Sequence, residues 1–265
     1  VALAAALLAA AALAAHSGAR TKSVTIPSFE QGSVTARCPA GKSLASGGFS
    51  AAVGSERGLV VNEAGPSSAR SWSAGAANVF VNDAKLSAIA ACGPRRHLRR
   101  VSASRNLPGQ SGDVPPSASV TATCPHGSSV RLAGFSADSS PQPDGPGLAV
   151  SAMRLASPRK WKVSAENLGP AAGSLRATAL CGHGRSLRAA RKSSPIAAAG
   201  GSASATARCR GRRRLAIGGF TFAPAFTGDG PYLSQIAPAG SHKLRAGAFQ
   251  FSGNAGKLTA IAYCG

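Results

Sequence analysis

The spacing of six cysteines constrains this chain more than any other feature. Cys38, Cys124 and Cys209 are each followed eleven residues later by Phe49, Phe135 and Phe220, in the settings Gly47-Gly48-Phe49, Ala133-Gly134-Phe135 and Gly218-Gly219-Phe220. Cys92, Cys181 and Cys264 each precede a glycine and follow Leu86, Leu175 and Leu258 by six residues. Trp72 and Trp161 stand twenty residues before their cysteines, with Leu244 in the third place, and Asn78 and Asn167 stand fourteen before, with Gln250 third. Agreement at so many offsets is an internal repeat. It divides the chain into units 20–93, 94–182 and 183–265, after a leading segment 1–19. One cysteine pair per unit at matching offsets selects the bridges Cys38–Cys92, Cys124–Cys181 and Cys209–Cys264. No two cysteines lie two to four apart, so a zinc framework is excluded on spacing.

Within each unit the short-range pattern has a period of two. Ser33 to Cys38, Ser119 to Cys124 and Ser204 to Cys209 alternate small apolar residues with Ser, Thr or Arg, as a half-buried strand does. Lys85 to Cys92, Ser174 to Cys181 and Lys257 to Cys264 repeat the alternation with Leu, Ala and Cys on one face. A Gly-Phe strand lies between them (Leu44 to Ala51, Val130 to Ala137, Leu215 to Ala223), then a strand after the turn at Gly58, Gly145 or Gly230. The Trp strand (Ser71 to Asn78, Lys160 to Asn167) follows, and one more strand precedes each first cysteine. Six short strands per unit predict an all-β protein of three tandem, disulfide-stapled sandwich- or barrel-like units. One pseudo-threefold body is the alternative arrangement.

Gly, Ala, Ser and Thr dominate and aromatics are 5% of the chain, so units of this size bury modest apolar area and need their covalent staples. Val1 to Ala15 is an unbroken apolar run of signal-peptide length, and Ser17-Gly18-Ala19 meets the small-x-small cleavage rule. Segment 1–19 is therefore read as a signal peptide shortened at its N-terminus. The expected location is extracellular or in the cell envelope, with no transmembrane segment in the mature chain.

Cys-Pro-x-Gly at Cys38 to Gly41 and Cys124 to Gly127, followed by Gly-Gly-Phe, Trp and a closing Leu-x-Ala-x-Ala-x-Cys, resembles exported β-rich repeat proteins of high-GC bacteria. The resemblance spans nearly the whole mature chain and implies structure without supplying an activity or a binding residue. The third unit departs from it with Cys209-Arg210-Gly211. A fold analogy to vitelline membrane outer layer proteins rests on the Gly-Phe strand after a cysteine. It implies a threefold β-prism, although the units of that family are shorter.

Function is sought first in charge. Thirty Lys and Arg against nine Asp and Glu give a net charge of +21, which attracts polyanions. The clusters are Arg95, Arg96, Arg99 and Arg100; Arg185, Arg188 and Arg191 with Lys192; and Arg212, Arg213 and Arg214 after Arg210. The first two fall in connections between units, where exposure is expected. These residues predict contact with an anionic cell-wall polymer or polysaccharide. Sequence-specific nucleic-acid recognition is not expected, because no helix-turn-helix, zinc finger or aromatic RNA-binding motif is present.

Catalytic readings find less support. The histidines, at 16, 97, 126, 183 and 242, are scattered, and no repeat-equivalent acid partners Glu166 as a glycosidase pair requires. Asp144 and Asp229, each in Asp-Gly-Pro, read as turn residues, with calcium binding through Asp138 and Asp144 the alternative. Gly-Gly-Phe lacks the Lys-Ser/Thr ending of a phosphate loop. No metal, cofactor or catalytic residue is assigned. The sequence thus predicts a non-catalytic binding or structural protein. A carbohydrate-binding module stacking sugar on Trp72 or Trp161 is the alternative, and a secreted hydrolase the second.

Overall fold

A computed structural model describes residues 18–52, 59–112, 114–138, 147–198, 200–223, 231–250 and 255–265. Residues 1–17, Asp144, Asp229, Gly58, Gly145 and Gly230 lie outside the described residues, and so do the readings that concern them. The described chain is all-β. The first six strands are β1 (Ala19–Ile26), β2 (Gln31–Arg37), β3 (Lys42–Ala52), β4 (Leu59–Pro66), β5 (Ser71–Asn78) and β6 (Ala84–Pro94). The next six are β7 (Arg99–Leu107), β8 (Ser117–Thr123), β9 (Ser129–Asp138), β10 (Leu148–Ser157), β11 (Lys160–Asn167) and β12 (Gly173–Gly182). The last six are β13 (Arg188–Ile196), β14 (Ser202–Arg208), β15 (Leu215–Ala223), β16 (Pro231–Pro238), β17 (Lys243–Gln250) and β18 (Gly256–Cys264). Strand β1 includes Ala19, paired with Ala91, and Cys92 donates its N–H to the Gly18 carbonyl at 3.0 Å. The first strand thus takes in the last residue of the segment read as a leader.

Alternation places the apolar face of these strands. In β2, β8 and β14 the buried positions are Val34 and Ala36, Val120 and Ala122, Ala205 and Ala207, and each series ends on a buried cysteine. The middle strand β5 is buried along its whole length. Ala and Ser suit a strand covered on both faces, because neighbouring layers can then approach closely.

The three six-stranded sheets have the orders β1-β6-β3-β16-β17-β14, β2-β5-β4-β9-β12-β7 and β13-β18-β15-β10-β11-β8. No sheet closes on itself, so the barrel-like form of the unit is not what the chain builds. Each sheet joins three strands from one unit to three from another, and each unit supplies half of two sheets. The chain is thus all-β in three tandem disulfide-stapled units, as expected, and the units share their sheets in pairs.

The seams between units are short antiparallel ladders, and each is made by a Gly-Phe strand. Phe49 pairs with Ile236, Phe135 with Ala64 and Phe220 with Met153. All three phenylalanines are buried. The glycine before each explains why the motif recurs. A Cβ on Gly48, Gly134 or Gly219 would run into the carbonyl oxygen of Ile236, Ala64 or Met153 across the seam, so only glycine permits the pairing. Another seam contact is Tyr263, whose Oη accepts the Leu155 N–H at 2.8 Å and whose ring meets Trp161 edge-on at 6.2 Å. Burial raises the Tyr263 pKa, against opposing effects of the Leu155 hydrogen bond, Arg191 and Arg154.

The disulfides form as the repeat predicts: Cys38–Cys92, Cys124–Cys181 and Cys209–Cys264, with Cα separations of 5.6, 5.6 and 5.7 Å. Each joins two different sheets of the three. Three formed bridges belong to an oxidising environment. Among the described residues no helix is long and apolar enough to cross a membrane.

Candidate functional site

Successive strands alternate in direction, so the connections gather at two ends. One end carries residues 38–41, 67–70, 95–98, 124–128, 158–159, 183–187, 209–214 and 239–242, together with the three disulfides. The other carries residues 27–30, 79–83 and 168–172 and the described parts of the remaining connections.

Charge is divided between these ends. Arg95 and Arg96 lie in one connection of the disulfide end and Arg99 and Arg100 open β7 beside it; Arg185 lies in the next, with Arg188 and Arg191 in β13; Arg212, Arg213 and Arg214 lie in the turn between β14 and β15. All ten are exposed. Three clusters far apart in sequence are thereby brought to one end of the molecule. Exposed Arg37, Lys42, Arg208 and Arg210 border them, and His97, His126, His183 and His242 lie in the same connections. Of the described acids, Glu30, Asp83, Asp138 and Glu166 sit in connections or strand ends of the opposite end, and Glu63 lies within β4. Burial raises the Glu63 pKa, and the Arg100 charge partly opposes this.

Two further arginines belong to the basic end, although they stand outside the charge clusters of the sequence. Arg70 donates from Nη2 to the Cys38 carbonyl at 3.0 Å, and Arg159 donates from Nε and Nη2 to the Cys124 carbonyl at 3.2 and 3.0 Å. Their own carbonyls accept the N–H of the same cysteines at 2.8 Å, as His242 does for Cys209. A signal for them does exist: each arginine stands two residues before a repeat tryptophan. A third, Arg131, is 8% exposed; its Nε donates to the Gly182 carbonyl at 3.4 Å and its Nη1 to that of Arg185 at 2.8 Å. Burial, and secondarily the charge of Arg96, lower its pKa below the usual arginine value.

Other sequence candidates turn out to be structural. Trp72 and Trp161 are 3% and 0% exposed, so neither offers a sugar-stacking platform. Trp161 donates Nε1–H to the Gly134 carbonyl at 3.2 Å, and Trp72 lies against Gly47, where a side chain would overlap its ring. Val60 and Val61 of β4, Ala149 and Val150 of β10 and Tyr232 and Leu233 of β16, with Phe135 of β9, line a narrow cavity between the three units. Its volume open to a water centre is about 10 Å³, room for one water at most. Among the described residues, no three His, Cys, Asp or Glu side chains gather into a metal-holding group. No protein-family model matches the chain, and no curated protein matches it.

Proposed function

We propose that this is a secreted or envelope-associated binding protein that lays its disulfide end on an anionic polymer. The observation that carries the reading is convergence: Arg95, Arg96, Arg99, Arg100, Arg185, Arg188, Arg191, Arg212, Arg213 and Arg214 are all exposed at or beside one end, whose connections hold no described acid. Such a face attracts polyanions by releasing their counterions, without reading monomer sequence. Arginine suits the task because its planar fork matches phosphate and carboxylate oxygens in pairs. The apolar leader and the disulfides support export. Burial of both tryptophans weighs against the carbohydrate-module alternative.

The test replaces Arg95, Arg96, Arg99 and Arg100 together with Ser. Retention on teichoic acid, heparin-like glycan and DNA weakens at low salt. On duplex DNA the slope of log affinity against log salt becomes shallower by about 0.9 for each phosphate that these arginines neutralise. Circular dichroism remains that of the parent, because exposed charges contribute little to stability. Unchanged affinity in the folded variant refutes the reading, and a strong preference for one of the three polymers replaces its mechanism.

A further inference from the structure

The arginines of the three clusters project into solvent, whereas Arg131 lies inside the same end. It is the extra residue of a β-bulge: Leu132 pairs with Leu180 and Val130 with Cys181, which leaves Arg131 outside the ladder. The same bulge occurs at Ala45, between Leu44 and Ser46, and at Ala216, between Leu215 and Ile217. The fold therefore needs no more than a methyl group at this position. Bulges re-aim side chains and are over-represented beside functional sites. Here the bulge turns a guanidinium inward at 8% exposure, towards two main-chain carbonyls.

No carboxylate pairs with this guanidinium in the described structure; its partners are the carbonyls of Gly182 and Arg185, and the charge that acts on it is Arg96, of the same sign. Nη2 is buried without a hydrogen-bond partner. A buried, unpaired cation is costly, and a second cation beside it adds to the cost. Gly184, at a φ of +136°, lies against the guanidinium, and a Cβ there would stand 2.6 Å from Nη2. Gly184 lies in the connection 183–187, whose residues 183–186 are exposed, so the buried Nη2 is neighboured by solvent-facing backbone that carries no side chain.

We propose that Arg131 is the floor of a seat for one oxyanion group, a phosphate, sulfate or carboxylate, beneath the 183–187 connection. An anion there supplies the acceptor that Nη2 lacks and neutralises the buried guanidinium, whose fork favours an oxyanion over a halide. The seat deepens the polyanion reading by giving it one discrete subsite, and it rests on that reading only for the source of the group.

The experiment titrates the folded, disulfide-bonded protein with sodium phosphate, against sodium chloride at matched ionic strength, and follows thermal unfolding. The melting temperature rises saturably with phosphate and not with chloride. Arg131→Ala places in the bulge the residue that the other two units already use, so the variant folds; it loses the saturable rise, with phosphate affinity weakened about tenfold or more. Gly184→Ala, which crowds Nη2, also weakens it. A wild-type protein that responds equally to both salts overturns the proposal. So does an Arg131→Ala protein with an intact phosphate response, or one destabilised equally with and without phosphate. A glycerol-phosphate polymer that competes with phosphate at this site identifies the polymer as the source, whereas failure to compete assigns the seat to the free ion. Polymer retention by Arg131→Ala that stays salt-dependent separates failure of the seat from failure of the basic face.

Discussion

At one end of the strands three disulfides tie each sheet to the next, and at the other end buried asparagines take over that task. Asn78 donates from Nδ2 to the carbonyls of Ile26, Pro27 and Asn82 at 3.1, 3.1 and 2.8 Å and accepts the Phe80 N–H at 3.1 Å. Asn167 donates to Pro108 and Ala171, both at 2.8 Å, and accepts the Gly169 N–H at 3.1 Å. In the third unit the main chain of Gln250 bonds Gly200 and Gly201. The surfaces differ accordingly. The asparagine end exposes Phe29, Val81 and Val114 alongside Glu30, Asp83 and Asp138, whereas the disulfide end exposes arginine. Like charges crowded at one end push the sheet ends apart, and a covalent tie withstands that repulsion where a hydrogen-bonded turn would yield. A covalently closed end is therefore free to accumulate cations, and the difference links the position of the bridges to the proposed use of the face.

The contrast between the two ends has measurable consequences. The largest effect is expected at the bridges, whose sequence separations of 54, 57 and 55 correspond to about 4 kcal/mol each in the loop-closure picture. Reducing all three should unfold a protein of ordinary stability, about 5–15 kcal/mol. Replacing Cys209 and Cys264 with Ser should cost about 2–5 kcal/mol in denaturant titration. If charge repulsion is part of what the bridge resists, that cost shrinks as salt rises. A salt-independent cost would sever the link between bridges and arginines.

The asparagine end should respond less and differently. Asn167→Ala leaves the Pro108 and Ala171 carbonyls without their donor and should cost about 1–3 kcal/mol, the usual penalty for stranded buried groups. Because no net charge is involved, the cost should be the same at low and high salt. A marked salt dependence there would erase the distinction between the ends.

The smallest effect concerns Glu63, which lies within β4 near the charge of Arg100. Burial raises its folded pKa, so the folded state binds more protons than the unfolded chain between the ordinary glutamate value and the folded one. Its contribution to stability is therefore fully present below the unfolded pKa and is lost as pH rises through the folded pKa. Glu63→Gln should flatten stability against pH across that window and slightly stabilise the protein at neutral pH. Destabilisation at neutral pH would mean that the attraction of Arg100 outweighs burial.

Much of the fold is legible in the sequence because strands and disulfides write local signals. The Trp strands expected in the first two units begin and end at the same residues as β5 and β11, since a period of two between turn residues needs no distant information. The same pattern predicts the first strand of the first unit over Lys22 to Phe29, yet β1 runs Ala19–Ile26 and Phe29 sits in the following turn at a φ of 58°. There an apolar residue marks an exposed turn, which hydrophobic pattern alone cannot distinguish from a strand. The candidate site is legible only in pieces. Arg131 stands apart from every charge cluster, although the gapless repeat register aligns it with Ala45 and Ala216.

The six-strand unit, the pairing of the cysteines and the excess of positive charge are all readable along the chain, because each follows from spacing or counting. That the units share their sheets, that the phenylalanine strands meet across unit boundaries, and that three distant arginine clusters come to one end emerges only in three dimensions. These features depend on which strand edges find one another in space. A strand's pattern of side chains specifies the face it buries, while its backbone edges offer the same N–H and C=O groups to every partner. The choice of partner is left to packing, and here to the glycines that let neighbouring main chains approach.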